Sequence, residues 1–212
     1  EQSPMGAYQW MIVVMAAIMN LLDGFDVLAL AFTATAIRGE FGLTGIELGY
    51  LLSAGLFGMT AGSLFLAPLA DKIGRRPLLL MAVSLSAIGM LGSAFISQYQ
   101  WLGFWRVITG LGVGGILVGT NVITSEYSSR KWRSFAISVY AAGFGIGAVL
   151  GGMFAVMLQG EYGWRSVFLA GAILTGLLLV VLFIWLPESI DFLTSKQPKN
   201  AEVRLNLIAK KI

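Results

Sequence analysis

Three ionisable residues, Asp23, Asp26 and Arg106, stand inside long apolar stretches of the sequence, where charge is costly unless it meets a cavity or a partner. Asn20, Asp23 and Asp26 recur every three residues, a spacing that puts them on one face of a helix. Carboxylates in such a place can take up and release protons, and a guanidinium can hold an organic anion. The chain contains no His and no Cys, so proton handling must fall to carboxylates, and thiolate chemistry, disulfides and the common zinc sites are excluded. No nucleophile is paired with a base and no metal-ligand cluster is present in the sequence, so an enzyme is not expected.

The elements that must position these residues are membrane helices. Of the 212 residues, 57% are hydrophobic and 12% charged, about half the charge of an ordinary soluble domain. The apolar residues come in blocks long enough to cross a hydrocarbon layer of about 30 Å, which takes about 20 residues of helix. Spans are expected at 10 to 36, 46 to 69, 77 to 97, 101 to 125, 134 to 158 and 165 to 186. The net charge of +3 does not point to nucleic acid, because the basic residues lie in short loops rather than along one face. The sequence starts at Glu1 with no cleavable signal before the first span, as expected of a trimmed start.

The second and fourth loops hold Lys72, Arg75, Arg76, Arg130, Lys131 and Arg133, against Arg38 and Arg165 in the odd-numbered loops. Both ends of the segment are therefore expected in the cytoplasm. Counting about 1.5 Å per residue from Trp10 places Asp23 about 20 Å and Asp26 about 24 Å into the membrane. Arg106 then lies about 7 to 8 Å below the outer surface, so the three charges are expected at a similar height. Desolvation disfavours an ionised carboxylate and a neighbouring guanidinium favours it, which brings proton binding within reach of the working pH. A substrate anion that competed for Arg106 would leave an aspartate free to bind a proton. The other reading is a static ion pair that orients the first and fourth helices. Gly24, between the aspartates, suits either a local bend or helix packing.

Glycines spaced by four, Gly58 and Gly62, Gly110 and Gly114, and Gly143, Gly147 and Gly151, mark faces where helices approach closely. Gly110, Gly112 and Gly115 formally spell GxGxxG, but they lie in an apolar span with no preceding strand, so no nucleotide site is read there. Gly24 and Gly112, and Gly55 and Gly143, are related by the same offset, a trace of two three-helix units in opposite topology. Ser53, Thr60 and Thr120 are expected to bond helix to helix.

Residues 67 to 76 put Asp71, Lys72, Arg75 and Arg76 in a short loop, with Pro68 expected to end the preceding helix and Gly74 to allow a tight turn. Such a cluster can exchange ion pairs, and Glu126 and Arg133 flank the next loop on the same side, within reach of it. After Pro187 the chain turns polar, and Ala201, Leu205, Ile208 and Ile212 fall at helical spacing beside Lys210 and Lys211. A short basic amphipathic helix near the cytoplasmic surface is expected, with a frayed linker as the other reading.

Asp71 to Arg76 resembles the loop between helices two and three of major facilitator carriers. Arg106, Gly110 and Gly112 resemble that superfamily's helix-four pattern, Glu126 to Arg133 its E-x6-R loop, and Pro187-Glu188-Ser189 the run after helix six. Asp23-Gly24-Phe25-Asp26 is similar to the D-G-x-D of the aromatic acid:proton symporter family. The resemblance implies an all-α fold of six transmembrane helices, arranged as two inverted three-helix repeats and forming one half of a twelve-helix carrier. It implies a transmembrane domain over 1 to 187 and a cytoplasmic linker over 188 to 212. Asp23 and Asp26 would couple protons, and Arg106 would handle the anion or balance charge. Asp71, Gly74, Arg75, Arg76, Glu126, Arg130 and Arg133 would form the cytoplasmic gate.

Two departures matter: Ala67 replaces the usual Gly, and helix five lacks the Pro typical of antiporters. The expected function is proton-coupled import of an aromatic or other organic carboxylate across a bacterial inner membrane by alternating access. No cofactor beyond the proton is expected. The partners would be the lipid bilayer, the organic anion and a carboxy-terminal six-helix half, with no nucleic acid. A carrier of drugs or sugars, or an inactive half serving as a scaffold, are the alternatives. Asn20, Phe25, Asn121, Tyr140 and Phe144 are candidate cavity liners.

Overall fold

The computed structural model describes residues 5–197 and 201–209. Eight helices follow one another among them: α1 (Ala7–Phe41), α2 (Gly45–Ile73), α3 (Arg75–Ala94), α4 (Tyr99–Tyr127), α5 (Arg133–Tyr162), α6 (Trp164–Trp185), α7 (Ile190–Lys196) and α8 (Ala201–Ala209). The first six are long and apolar enough to cross a membrane, and each covers most or all of an expected span. A helix is the natural state for such segments, because in lipid every backbone N–H and C=O must find its partner within the segment.

Most of the connections are tight. Thr44 caps α2 through a reciprocal pair with Glu47, in which the Thr44 hydroxyl accepts from the Glu47 N–H and the Glu47 carboxylate from the Thr44 N–H. Gly74, at φ 101°, is the whole turn between α2 and α3. The expectation that Pro68 ends the second helix is therefore corrected: Pro68 lies inside α2, which runs five residues further to Ile73. A proline inside a membrane helix is tolerated when local adjustments and neighbours satisfy the carbonyl it frees. Asp71 and Lys72 thus belong to the last turn of α2 and Arg75 and Arg76 to the first turn of α3, not to a loop.

Packing follows an exchange between two three-helix units. Helix α1 packs chiefly on α5 and α2 on α4, while α3 meets α4 and α6, and α6 meets α1. Each unit thus lends its outer helices to the other, as two inverted repeats do. The middle helices α2 and α5 are the least buried, with 17% and 22% of their most apolar window buried, against 56% for α1 and 61% for α4. Their free faces carry residues such as Phe57, Phe65, Val149 and Met153, as expected of helices in an apolar medium.

The glycine stripes set these close pairs. A Cβ on Gly58 or Gly62 would strike the carbonyls of Val107 or Leu111 of α4, and one on Gly143 or Gly147 those of Ala17 or Leu21 of α1. Gly24 has the same role: α1 is continuous through it, and a side chain there would collide with the Phe144 carbonyl of α5. Packing, not a bend, is what the structure makes of Gly24. Gly110, Gly112 and Gly115 lie against α2 and α3, which explains the GxGxxG spacing without any nucleotide. Of the three hydroxyls expected to bridge helices, Thr120 does so, to the Tyr140 hydroxyl, whereas Thr60 bonds the Leu56 carbonyl of its own helix and Ser53 makes no hydrogen bond among the described residues. An exposed hydroxyl on a membrane helix finds its nearest acceptor one turn back.

Beyond α6, Leu186, Leu193, Ala201 and Ile208 are buried in the same apolar cluster as Ile12, Ile123 and Tyr127, with Leu205 packed against it. The apolar side of α8 is thus turned onto the bundle, near the start of α1 and the end of α4. Lys210, Lys211 and Ile212 lie outside the described residues.

Candidate functional site

Two large apolar clusters fill the bundle, one at the terminal end, where α1 begins and α6 finishes, and one at the opposite end, with a small third cluster around Met5, Val13 and Ala136. On α1 the first cluster runs to Leu22 and the second begins at Phe25; on α3 the division falls between Val83 and Met90, on α4 between Trp105 and Ile116, and on α6 between Ala172 and Leu178. The buried polar residues Asp23, Asp26, Ser86, Arg106, Thr109 and Thr175 sit at or beside this seam. A polar layer crosses four helices at one level of an otherwise apolar core.

Arg106 is held almost entirely by neutral groups. Its Nη2 donates to Ser93 Oγ and Thr109 Oγ1, both at 2.9 Å, and to the Met90 sulfur at 3.1 Å, while Nε reaches Ser93 Oγ at 3.3 Å. The guanidinium stacks over the Phe168 ring, 4.8 Å from its centre. Its contact with α1 runs from Nη1 to the main-chain carbonyl of Asp26, at 3.4 Å. No ion pair between Arg106 and either aspartate is formed. The direct carboxylate–guanidinium pair expected from the sequence is replaced by a backbone link, because the Ser93 hydroxyl and Met90 sulfur of α3 and the Thr109 hydroxyl of α4 take the donors. The similar depth expected for Asp26 and Arg106 does hold, since they touch.

The Asp26 carboxylate receives the Ser86 hydroxyl on Oδ2 at 2.7 Å. Its Oδ1 faces Gly171 of α6 and, like Asp23 Oδ2, is buried with no hydrogen-bond partner among the described residues. An unpaired buried acceptor costs roughly 1–3 kcal/mol, more when charged, so binding a proton or a donor there is favourable. Asp26 and Arg106 also line a small pocket between α1, α2 and α4, with Val27, Leu30, Leu52 and Gly110 among its walls.

None of the five candidate liners borders this pocket. Asn20 is buried and donates to the Tyr140 carbonyl at 2.9 Å; Tyr140 is buried with its hydroxyl at Thr120; Phe25 packs in the core against Gly151 and Gly171. Phe144 is half-buried and Asn121 exposed. Ser86, Ser93, Thr109, Met90 and Phe168 were not singled out from the sequence. The signal was there in part: Ser86, Gly89 and Ser93 put small residues on one face of α3, the face that closes over α4.

At the terminal end, the charges are arranged differently from expectation. Arg75 pairs with Asp71 at 2.6 Å, one turn away. Glu126 makes no ion pair with that cluster; its carboxylate accepts from Ser189 Oγ and the Ile190 N–H, both at 2.8 Å, at the N-terminus of α7. Oriented N–H groups at a helix start are ready-made anion donors, which is why a carboxylate settles there rather than on a flexible arginine. Arg130 and Arg133 are exposed and make no ion pair among the described residues. Glu188, which the sequence reading left within a motif, is buried: its Oε1 accepts from the N–H groups of Arg75, Arg76 and Ser189 at 2.7, 3.0 and 2.9 Å. The Gly74 turn lets it in, since a side chain there would overlap the Glu188 carboxylate. Tyr127 completes the knot by donating to the Glu188 carbonyl at 2.6 Å. Among the described residues no three acidic side chains converge to hold a metal.

Comparison with known proteins meets this geometry. The Major Facilitator Superfamily model matches residues 16–209. The chain is 36% identical over 203 residues to a gallate transporter of Pseudomonas putida, covering 96% of this chain and 45% of the relative. It is 35% identical to the 4-hydroxybenzoate transporter PcaK of the same organism, covering 98% and 46%. Among solved structures, the xylose transporter XylE from E. coli superposes with a TM-score of 0.84 at 22% identity, covering 96% of this chain and 56% of that one, a likeness of fold. The chain spans less than half the length of these two curated relatives. It is an integral membrane protein of a family of transporters, not of enzymes. Six membrane-length helices in two inverted repeats, a buried polar layer on α1 and α4 and the sequence match together place the chain in the Major Facilitator Superfamily.

Proposed function

We propose that the chain is the amino-terminal half of a proton-coupled symporter that brings an aromatic or related organic carboxylate into the cell by alternating access. The complete carrier adds a carboxy-terminal six-helix half, sits in a bacterial inner membrane, and keeps both ends of this segment in the cytoplasm. Two curated relatives are named for gallate and 4-hydroxybenzoate, both aromatic carboxylates, which supports the substrate class.

The observation that carries the reading is the pair of unpartnered oxygens, Asp23 Oδ2 and Asp26 Oδ1, in the layer that also holds Arg106. Protons are the coupling ion and bind at these carboxylates. Arg106, with its donors on neutral groups, supplies positive charge to the layer beside Asp26. A substrate anion drawn toward it raises the demand for a proton at Asp26, and the loaded carrier closes. The terminal-side residues Asp71, Gly74, Arg75, Arg76, Glu126, Arg130 and Arg133 then act at the cytoplasmic opening, with Glu188 as an added member.

The test uses the complete carrier in proteoliposomes with 4-hydroxybenzoate. Asp23→Asn and Asp26→Asn should each abolish accumulation driven by a pH gradient while leaving substrate exchange at equal pH measurable. Full gradient-driven accumulation in both variants would remove the coupling role.

A further inference from the structure

Arg76 lines one of two surface hollows, and Leu80, one turn further along α3, lines the other. Toward the membrane, an open groove runs between α3 and α6, walled almost wholly by apolar side chains including Leu80, Met81, Leu85, Ile88, Val180 and Phe183. Toward the terminal end, a more polar hollow is bounded by Arg76, Glu188, Trp185 and α8. The Arg76 guanidinium reaches the rim of the apolar groove, because its Nη2 donates at 2.7 Å to the carbonyl of Phe183, which lines that groove. The rest of its five N–H donors have no partner among the described residues, and its Nε is buried. Among the described residues no carboxylate forms an ion pair with it: Asp71 is paired with Arg75, and Glu188 Oε1 accepts from three backbone N–H groups.

We propose that this groove is a binding site for one anionic phospholipid, its phosphate on Arg76 and an acyl chain between α3 and α6. Charge complementarity selects the occupant: a fixed guanidinium with no ion-pair partner among the described residues, beside an apolar channel, matches an anionic head on a hydrocarbon tail. The dimensions agree. Arg76 to Ile88 is three turns and more of α3, about 18 Å of helix, close to the depth of one leaflet of a hydrocarbon core about 30 Å thick. The polar hollow beside Trp185 accommodates the rest of the headgroup. This site lies apart from the Asp26–Arg106 layer and does not rest on the transport reading.

The test places the complete carrier in phosphatidylcholine nanodiscs with trace phosphatidylglycerol bearing a photoactivatable acyl chain, and maps adducts by peptide mass spectrometry. Adducts should concentrate on the Met81–Ile88 and Val180–Phe183 stretches over the equally exposed Val149–Met157 face of α5. Unlabelled phosphatidylglycerol should displace them and extra phosphatidylcholine should not. Arg76→Gln should lower labelling about fivefold, the loss expected for one interfacial arginine, and Leu85→Trp, which keeps the charge but fills the groove, should lower it as well. Labelling spread evenly over the apolar faces, equal displacement by phosphatidylcholine, or unchanged labelling in both variants would overturn the assignment.

Discussion

Four carboxylates occupy two levels of this bundle, and the two levels treat them in opposite ways. At the terminal end, Glu188 and Glu126 are met by N–H groups at the starts of α3 and α7, three for Glu188 and, for Glu126, two together with the Ser189 hydroxyl. In the polar layer, Asp26 has one hydroxyl donor, and Asp23 Oδ2 has none. A saturated carboxylate holds parts together, because removing it orphans donors that have nowhere else to turn. An undersupplied one stabilises nothing by itself, and its retention at that depth calls for a use other than packing. The same residue chemistry thus serves as clamp at one level and as binding point for a proton at the other.

The clamp should give the largest stability effect. Glu188→Ala removes an acceptor from three backbone N–H groups in a buried turn, and hydrogen bonds to charged groups contribute about 1.5–3 kcal/mol. A loss of about that size is expected, read as a lower midpoint in thermal or denaturant unfolding in detergent. Glu188→Gln keeps one acceptor and should recover part of it. Glu126→Ala should cost less, about 0.5–1.5 kcal/mol, because Glu126 is only half-buried and the N-cap Ser189 still accepts from Phe192. Protease sensitivity confined to the segment after Pro187 would show that loss as release of α7. Equal effects at Glu188 and Glu126 would mean that donor count and burial do not rank these contacts.

Much of this arrangement could be read from the sequence, and what could not has a common cause. The spans, the inverted repeat and the outlying charges of α1 and α4 follow from segment length, glycine spacing and the cost of charge in lipid, all of which are local or periodic. The partners of those charges were not legible. Arg106 was expected to meet an aspartate because opposite charges attract, but the donors went to Ser93, Thr109 and Met90, whose positions depend on how α3 lies over α4. Glu126 could have reached the arginine cluster by its place in the sequence, but a helix start took it instead. Pro68 read as a stop because proline ends helices in water, whereas α2 continues past it. In each case the missing term was the competition among neighbours, which only the packed helices decide.

The smallest stability effect should come from the layer itself. Asp23→Asn keeps the shape of the side chain and replaces a carboxylate whose buried Oδ2 has no partner by a neutral amide. The desolvation cost of the charge disappears and no recorded hydrogen bond is lost, so the unfolding midpoint should stay within about 0.5 kcal/mol of the parent or rise, the range of substitutions that break nothing. Buried charges removed without orphaning a partner behave in this way. The contrast with Glu188→Ala is the point of the measurement: one acidic residue is expected to matter to stability and the other only to proton-driven uptake. A drop at Asp23→Asn as large as that at Glu188→Ala would show that Asp23 clamps helices too, and the division between the two levels would fail.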